Sequence, residues 1–491
     1  MSKHGIILGG WKIDENEAFH SRSPGSYKIA HHCRSLGWDI EVIDYITYWN
    51  PPKLKKYIKH TILQENTKWI GISYNWLFNY ANEIYELVTE FKNTFPNIKI
   101  LVGGQGPFNN DLNADWYIFG YGEEAITKVL EYEFSNGTKP ISVPKFGGNY
   151  INAVKNYPSN LLKDYRITYL ENDYLDSNDV VSIELSRGCK FKCNYCNYPF
   201  IGIKDDTSRS EEDIYQELVE NYERWGITQY IIADDTYNDR IEKMIKLQNA
   251  VSRLDFEPNF SCFIRADLLA TNSDMKKILS NSRVWGHYYG VETFNRTAGR
   301  SIGKGMDPNR VKDALLEVRE YLLNDIGAYR GSIGLIAGLP GEDIQSLEQT
   351  DEWINKYWNT ESRLWWPLQI TNDQDSLSAF GQNLEKYGYR KMKSNDRILG
   401  MEHKNSYNQI IWENDITNMY EMVEFCGPRM MKPDGIDGFA VAGYTPFFGI
   451  EDTLNIKQQP SERYGYLSYA IKSQEKIKKY ILSKLKGRNI R

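Results

Sequence analysis

Cys189, Cys193 and Cys196 stand in the run Ser186-Arg187-Gly188-Cys189-Lys190-Phe191-Lys192-Cys193-Asn194-Tyr195-Cys196. Soft thiolate ligands select iron–sulfur clusters or zinc, and ligand count separates the two. The spacing C-x3-C-x2-C holds three corners of a [4Fe–4S] cube and leaves the fourth iron open to a small molecule. A structural zinc site instead closes on four protein ligands, commonly with a second cysteine or histidine pair. No second pair follows here: the nearest downstream histidine is His287, and Cys33, Cys262 and Cys426 stand alone. The missing fourth ligand favours the cluster over zinc. Three core cysteines are a weaker reading still, because Lys190, Lys192 and Asn194 interleave them.

Such a loop needs a scaffold, and the flanking sequence alternates strand and helix patterns. Val180–Leu185 is predicted to be the strand that delivers the loop. Strands are expected at Gln229–Ala233, Asn259–Ile264, Gly286–Val291, Gly331–Ala337 and Leu364–Ile370. The predicted helices between them cover Ser210–Trp225, Arg240–Arg253, Asn309–Leu323 and Ile344–Trp358. This is a partial (β/α)6 barrel over residues 180–375, whose sites lie at the carboxyl ends of the strands. Residues 1–135 alternate in the same way, with strands at Gly5–Leu8, Ile40–Ile43, Trp69–Ser73 and Ile98–Val102. The helices expected between those strands cover Ser26–Leu36, Lys53–Gln64 and Ala81–Phe95. That alternation predicts a doubly wound parallel sheet whose ligands sit beyond the strand ends. Residues 136–179 are broken by Pro140, Pro144, Gly147, Gly148 and Pro158 and read as a connector. Residues 376–491 read as an α+β extension. Its aromatic and glycine-rich stretch Gly435–Gly449, together with Trp365 and Trp366, either caps the barrel mouth and shapes a substrate pocket or packs outside.

The 491 residues suffice for two to three domains, with 41% hydrophobic and 25% charged residues, the balance of a soluble globular protein. No stretch approaches the roughly 18 apolar residues of a membrane span. The apolar run at the start is too short for a signal peptide, so a cytoplasmic location without membrane partners is expected. Lysine and arginine total 59 against 65 acidic residues, a net charge of −6 that gives nucleic acid no global attraction. The basic run Lys472–Arg491 reads as an exposed amphipathic helix. Six cysteines, three of them clustered, indicate a metal in a reducing compartment rather than a disulfide framework.

The cluster loop resembles that of the radical S-adenosylmethionine (SAM) enzymes, whose pattern is C-x3-C-x-aromatic-C, with Tyr195 at the aromatic position. The resemblance implies that the amino and carboxylate groups of SAM chelate the fourth iron. It further implies that an electron donor such as flavodoxin or ferredoxin drives reductive cleavage to a 5′-deoxyadenosyl radical. Other elements of that family have counterparts here. Asp234-Asp235-Thr236-Tyr237-Asn238 resembles its D-D-x-F-x element, the carboxylates accepting hydrogen bonds from the methionine amine or from loop amides. Gly290-Val291-Glu292-Thr293 resembles its G-x-E-S element, placing Glu292 on the ribose or the amine. Lys304 resembles a family lysine and is a candidate for the methionine carboxylate. Gly334 to Glu342 resembles the G-L-P-G-E turn, with Ile336 and Leu339 packing on adenine and Gly338 admitting it closely. Arg265, at a strand end, suits bidentate pairing with a carboxylate such as that of methionine, or a salt bridge to Asp267 or Asp234.

Residues 1–135 resemble the cobalamin-binding domain that precedes the radical core in one subfamily. Gly103-Gly104-Gln105-Gly106-Pro107 and Gly120-Tyr121-Gly122-Glu123-Glu124 carry the likeness. The cofactor residues it implies are Gly103, Gly104, Gly122 and Glu123. The D-x-H-x-x-G motif whose histidine ligates cobalt elsewhere is absent, and a sheet holding no cofactor is the competing reading. The resemblance implies cobalamin-dependent methylation of an unactivated centre in a small molecule. Cyclisation, rearrangement or oxidation without cobalamin is the alternative, and a zinc-stabilised binding module is the reading of another class. Methylthiolation fits poorly, since the N-terminal part offers only Cys33 to a second cluster.

Overall fold

The computed structural model describes residues 3–10, 21–46, 51–74, 81–104, 111–158, 166–196, 198, 207–371, 378–392 and 410–429. The turn residues Gln105, Gly106 and Pro107, the stretch Gly435–Gly449 and the basic run Lys472–Arg491 lie outside them. Described residues up to Asp176 form one compact unit and those from Ser177 a second.

The first unit is built on a seven-stranded sheet of β1 (His4–Leu8), β2 (Asp39–Ile43), β3 (Thr67–Ser73), β4 (Lys99–Gly104), β5 (Trp116–Phe119), β6 (Val143–Lys145) and β7 (Gly148–Asn152). Their order is β2-β1-β3-β4-β5-β7-β6, parallel throughout except for the β6–β7 hairpin. The order in which strands are added reverses after β2, so the switch point lies between β1 and β3, the place where such sheets open a crevice for ligands. Apolar residues fill both faces, as parallel strands require: every residue of β1 and β5 is buried. Gly5 leaves room for the Trp69 indole of the neighbouring strand, where a Cβ would stand 2.5 Å from the ring. The expected connector is replaced over its middle by structure, since β7 pairs with β5 and carries β6 on the sheet edge. β5 and the helix Glu123–Phe134 also join the expected elements.

The second unit holds a six-stranded sheet of β8 (Val180–Ile183), β9 (Gln229–Ile232), β10 (Asn259–Arg265), β11 (Val284–Glu292), β12 (Arg330–Ala337) and β13 (Ser362–Pro367). These strands lie in strict sequence order and all pair in parallel, the arrangement of a partial barrel. Helices separate them at Glu211–Trp225, Ile241–Ser252, Pro308–Asp325 and Ile344–Tyr357. The first helix starts under Ser210, whose side chain accepts from the Asp213 amide, and stops at Gly226 in a left-handed conformation. Beyond the barrel, the described part of the α+β extension includes the short helix Ala379–Gln382, a two-residue antiparallel pair and the helix Met419–Cys426. Trp412 donates its indole N–H to the Leu368 carbonyl at 2.8 Å, and Phe425 meets Trp365 edge to face.

His287 lies on the β11 face opposite to Tyr288 and is wholly buried. The Tyr329 hydroxyl donates to that of Tyr289 at 3.1 Å, and Tyr289 to His287 Nδ1 at 2.6 Å. Nε2 therefore carries the hydrogen given to the Val284 carbonyl at 2.8 Å. Both ring nitrogens are occupied, so His287 is not available as a fourth metal ligand. Burial pushes its pKa down to about 4, against the opposing pull of the Val284 carbonyl. The unfolded chain binds this proton below about pH 6.5 and the folded chain does not, so stability is complete above that pH and lost as pH falls. We expect a loss of about 2 kcal/mol from this residue at pH 5. Urea unfolding at pH 7 and pH 5 checks it: a His287→Gln variant should show a flatter pH dependence than the unaltered chain.

Candidate functional site

β8 ends at Ile183, and the chain then turns into the cysteine loop through Gly188, whose φ of +94° suits glycine. Four elements hold that loop. From the end of β9, the buried Asp234 carboxylate accepts from the Leu185 amide at 2.8 Å, the Ser186 amide at 3.1 Å and the Ser186 hydroxyl at 2.8 Å. Lys243, on the following helix, reaches the same carboxylate at 2.9 Å and the Thr236 carbonyl at 2.9 Å. Asn194 donates its side-chain amide to the Ser301 carbonyl at 2.6 Å, and its own carbonyl accepts from the Phe380 amide at 3.1 Å. Lys190 donates to the Asp239 carbonyl. The loop is thus held by contacts remote in sequence.

The three thiols are half-buried and free of disulfides. Each meets a different neighbour: Cys189 Sγ lies 3.5 Å from the Thr236 hydroxyl, Cys193 Sγ accepts from Arg265 Nη1 at 3.3 Å, and Cys196 Sγ from the Tyr198 amide at 3.3 Å. Burial pushes the Cys196 thiol up to about 12, and it also raises that of Cys193, against the nearby charges of Lys304 and Arg265. Deprotonation at neutral pH therefore calls for metal charge, which a cluster supplies. Among the described residues no three His, Cys, Asp or Glu side chains group as ligands of a single ion. A cube asks instead for one thiolate per iron, and the donor set fits it. Cys262 and Cys426 are buried and take no part in the group of three thiols.

Glu292 ends β11 at a bulge, where the register with β12 shifts between Gly290 and Glu292. Its φ is +63°, a left-handed conformation that costs energy in a residue with a Cβ and that marks many functional positions. The carboxylate accepts from the Tyr195 hydroxyl at 2.5 Å and from Lys304 at 2.5 Å, while Lys304 also reaches the Gly290 carbonyl at 2.7 Å. The expected residues Tyr195, Glu292 and Lys304 are therefore one connected group beside the thiols. A carboxylate has about four lone-pair positions, so Glu292 retains acceptor capacity for a ligand amine or hydroxyl.

Other expected residues have different employment. Asp234 serves the loop amides, the second of the two roles expected for it. Asp235 is exposed and lies against the Tyr198 side chain. Arg265 takes the salt bridge to Asp267, Nε to Oδ1 at 2.9 Å and Nη2 to Oδ2 at 2.6 Å, the second of the two pairings expected for it. Ile336 is half-buried, whereas Leu339 is wholly buried and has no face left for adenine. Gly338, at φ +96°, does not open a path for adenine either: a Cβ there would collide with the Trp412 ring, and the Tyr389 hydroxyl bonds its carbonyl at 2.7 Å. Sequence reasoning missed Lys243, although Asp239 and Lys243 at i,i+4 spacing signalled a pair. It also missed Glu342, which accepts from the Thr293 hydroxyl at 2.5 Å and the Leu339 amide at 3.1 Å, tying two motif turns together. Strand register places Phe263 and Trp366 on the same sheet face as Arg265, and both are over a third exposed there.

In the first unit, Gly103 and Gly104 end β4, and Gly122 caps the helix that begins with Glu123. A Cβ at Gly103 would come no nearer than 3.8 Å to the Ile118 carbonyl, and one at Gly122 no nearer than 3.5 Å to Ile118 and Ile29. Neither has a positive φ among the described residues. Among the described residues nothing requires glycine at Gly103 or Gly122, and close approach of a ligand is a physical reason for it. Glu123 is buried in the first helical turn, where an acid favours the helix.

Residues 183–354 match the model of the Radical SAM superfamily, a domain that implies a [4Fe–4S] cluster and SAM as cofactors. An uncharacterized methyltransferase of Pyrococcus horikoshii is 23% identical over 171 residues, 35% of this chain and 36% of that protein. The hopanoid C-3 methylase of Methylococcus capsulatus is 22% identical over 374 residues, 68% of each chain. The chain spans about a third to a half of the length of the first curated relatives it matches. Its fold is similar to that of the radical SAM methyltransferase TsrM from Kitasatospora setae, solved with tryptophan substrate and a SAM analog. The TM-score is 0.61 at 12% identity, covering 80% of this chain and 79% of that one. TsrM has also been solved with cobalamin and a [4Fe–4S] cluster bound.

Proposed function

We propose that this chain, an enzyme of the radical SAM superfamily, uses cobalamin to methylate an unactivated centre of a small molecule. When bound at Cys189, Cys193 and Cys196, a reduced [4Fe–4S] cluster supplies the electron that cleaves SAM to a 5′-deoxyadenosyl radical. The observation that carries the radical part is the joined group of Cys193, Cys196, Tyr195, Glu292 and Lys304. Glu292 offers its carboxylate to the methionine amine or the ribose, and Lys304 brings a cation within reach of the methionine carboxylate. Tyr195 fixes Glu292 in place from inside the cluster loop. Phe263 and Trp366 present apolar surface on the same sheet face, suited to a substrate with apolar or aromatic parts.

Support for the corrin comes from the first unit. Gly103 and Gly104 end a strand, and Gly122 caps the helix after the next, in a sheet with order 2-1-3-4-5 over its first five strands; among the described residues Gly103 and Gly122 have room for a side chain they do not have. The methylase names among the relatives point the same way. A reductant is required, and a small flavodoxin or ferredoxin is the donor we assign.

The test is anaerobic reconstitution with iron, sulfide and hydroxocobalamin, followed by SAM carrying a labelled methyl group and a substrate panel. A retained corrin spectrum and a product heavier by one labelled methylene unit are expected. Gly103→Val should lower corrin retention at unchanged iron content. A chain that forms the cluster but never retains corrin leaves radical cyclisation, rearrangement or oxidation in place of methylation.

A further inference from the structure

Arg265 is gripped from every side. Its backbone amide donates to Asn238 Oδ1 at 2.9 Å, and its carbonyl accepts from Asn238 Nδ2 at 3.0 Å. Asn238 is itself wholly buried. Asp267 takes one edge of the guanidinium in two hydrogen bonds, of 2.9 and 2.6 Å. The face stacks on Phe191 of the cluster loop, 3.8 Å from the ring centroid. What remains is Nη1, which points at Cys193 Sγ from 3.3 Å.

We propose that Arg265 is a positioning residue for the cluster: it donates an N–H bond to the Cys193 sulfur and thereby sets the reduction potential. This rests on the reading of the three cysteines as cluster ligands. An N–H donor and a fixed positive charge at a ligating sulfur draw electron density from the thiolate. Reduction adds one electron to the cluster, so this donor stabilises the reduced form more than the oxidised one and raises the potential. The pairing with Asp267 does not cancel the effect, because the carboxylate lies on the far edge while the N–H direction is aimed at sulfur. Arginine is needed for the geometry. Only a planar fork can hold a carboxylate along one edge, lie flat on a ring and still direct a third nitrogen elsewhere, whereas an ammonium has no such shape. Asn238 belongs to the same loop as Asp234, so one short segment after β9 both anchors the cysteine loop and aims the arginine at it.

The experiment is an EPR-monitored redox titration of the anaerobically reconstituted full chain, without SAM, alongside a binding titration with SAM. Arg265→Gln should shift the midpoint potential to more negative values while SAM affinity changes less than about threefold. Arg265→Lys, which keeps charge but loses the fork, should fall between Arg265→Gln and the unaltered chain. Phe191→Leu removes the stack without changing charge and should give a smaller shift of the same sign; its potential decides the matter if Arg265→Gln fails to hold iron. An unmoved potential with a tenfold or greater loss of SAM affinity overturns the proposal and returns Arg265 to the methionine carboxylate. An unmoved potential with unchanged affinity overturns it as well. If the unaltered chain shows no reducible [4Fe–4S] signal, the cluster reading itself fails, an outcome distinct from a potential that does not move.

Discussion

Cys193→Ala is expected to lose its iron and sulfide and to lower SAM cleavage by more than about 100-fold, since even outer-shell partners of a metal site are worth 10–100-fold. One thiolate serves each of three irons, and among the described residues no replacement is near. Cys262 sits on the buried opposite face of β10, Cys426 is buried in the extension, and both nitrogens of His287 are engaged. The fold should survive. Cys193 is half-buried, and the loop keeps its contacts through Asp234, Asn194 and Lys190. Stability of the metal-free chain should therefore change by no more than about 0.5 kcal/mol. Iron and sulfide analysis with a urea melt of the apo chain separates the two effects; a variant that retains a full cluster contradicts the ligand assignment.

Asp234→Ala should do the reverse, costing stability first and the cluster as a consequence. Asp234 and Lys243 are both almost fully buried, at 0% and 1% side-chain exposure and 2.9 Å apart. Their pairing alone is weak evidence of stability, because desolvating two charges offsets most of the attraction. Removing one partner is different: it leaves the buried cation with Asp239, at 2.8 Å, as its one paired carboxylate among the described residues, and strips the acceptor from the Leu185 and Ser186 amides. A loss of about 3–5 kcal/mol is expected. The double variant Asp234→Ala with Lys243→Met should recover part of it, since the uncompensated charge is then gone. If instead the two single losses simply add, the pair is not coupled and Asp234 acts on the loop alone.

The strand and helix alternation of both units was legible because parallel strands are apolar runs and their helices are amphipathic. What escaped was set by pairing rather than by pattern. β7 reads Gly-Asn-Tyr-Ile-Asn, poor in strand formers, and becomes a strand because β5 offers it an edge. Cys189, Cys193 and Cys196 were legible from their spacing, and Tyr195, Glu292 and Lys304 from the resemblance of their motifs to the family's. Their mutual contact was not, because it joins positions about a hundred residues apart. The employment of Arg265 shows the limit most clearly. Its place at a strand end marked it as important, while Asp267, Asn238, Phe191 and Cys193, which decide what it does, come from three different elements. Gly338 carries the same lesson, for its side-chain space is taken by Trp412 from beyond the barrel.

The most direct test is release of 5′-deoxyadenosine by the reconstituted, chemically reduced chain supplied with SAM. Formation that requires the reductant and disappears in Cys193→Ala is the predicted result. A chain with a full, reducible [4Fe–4S] cluster that binds SAM but yields no 5′-deoxyadenosine with any substrate would contradict the account.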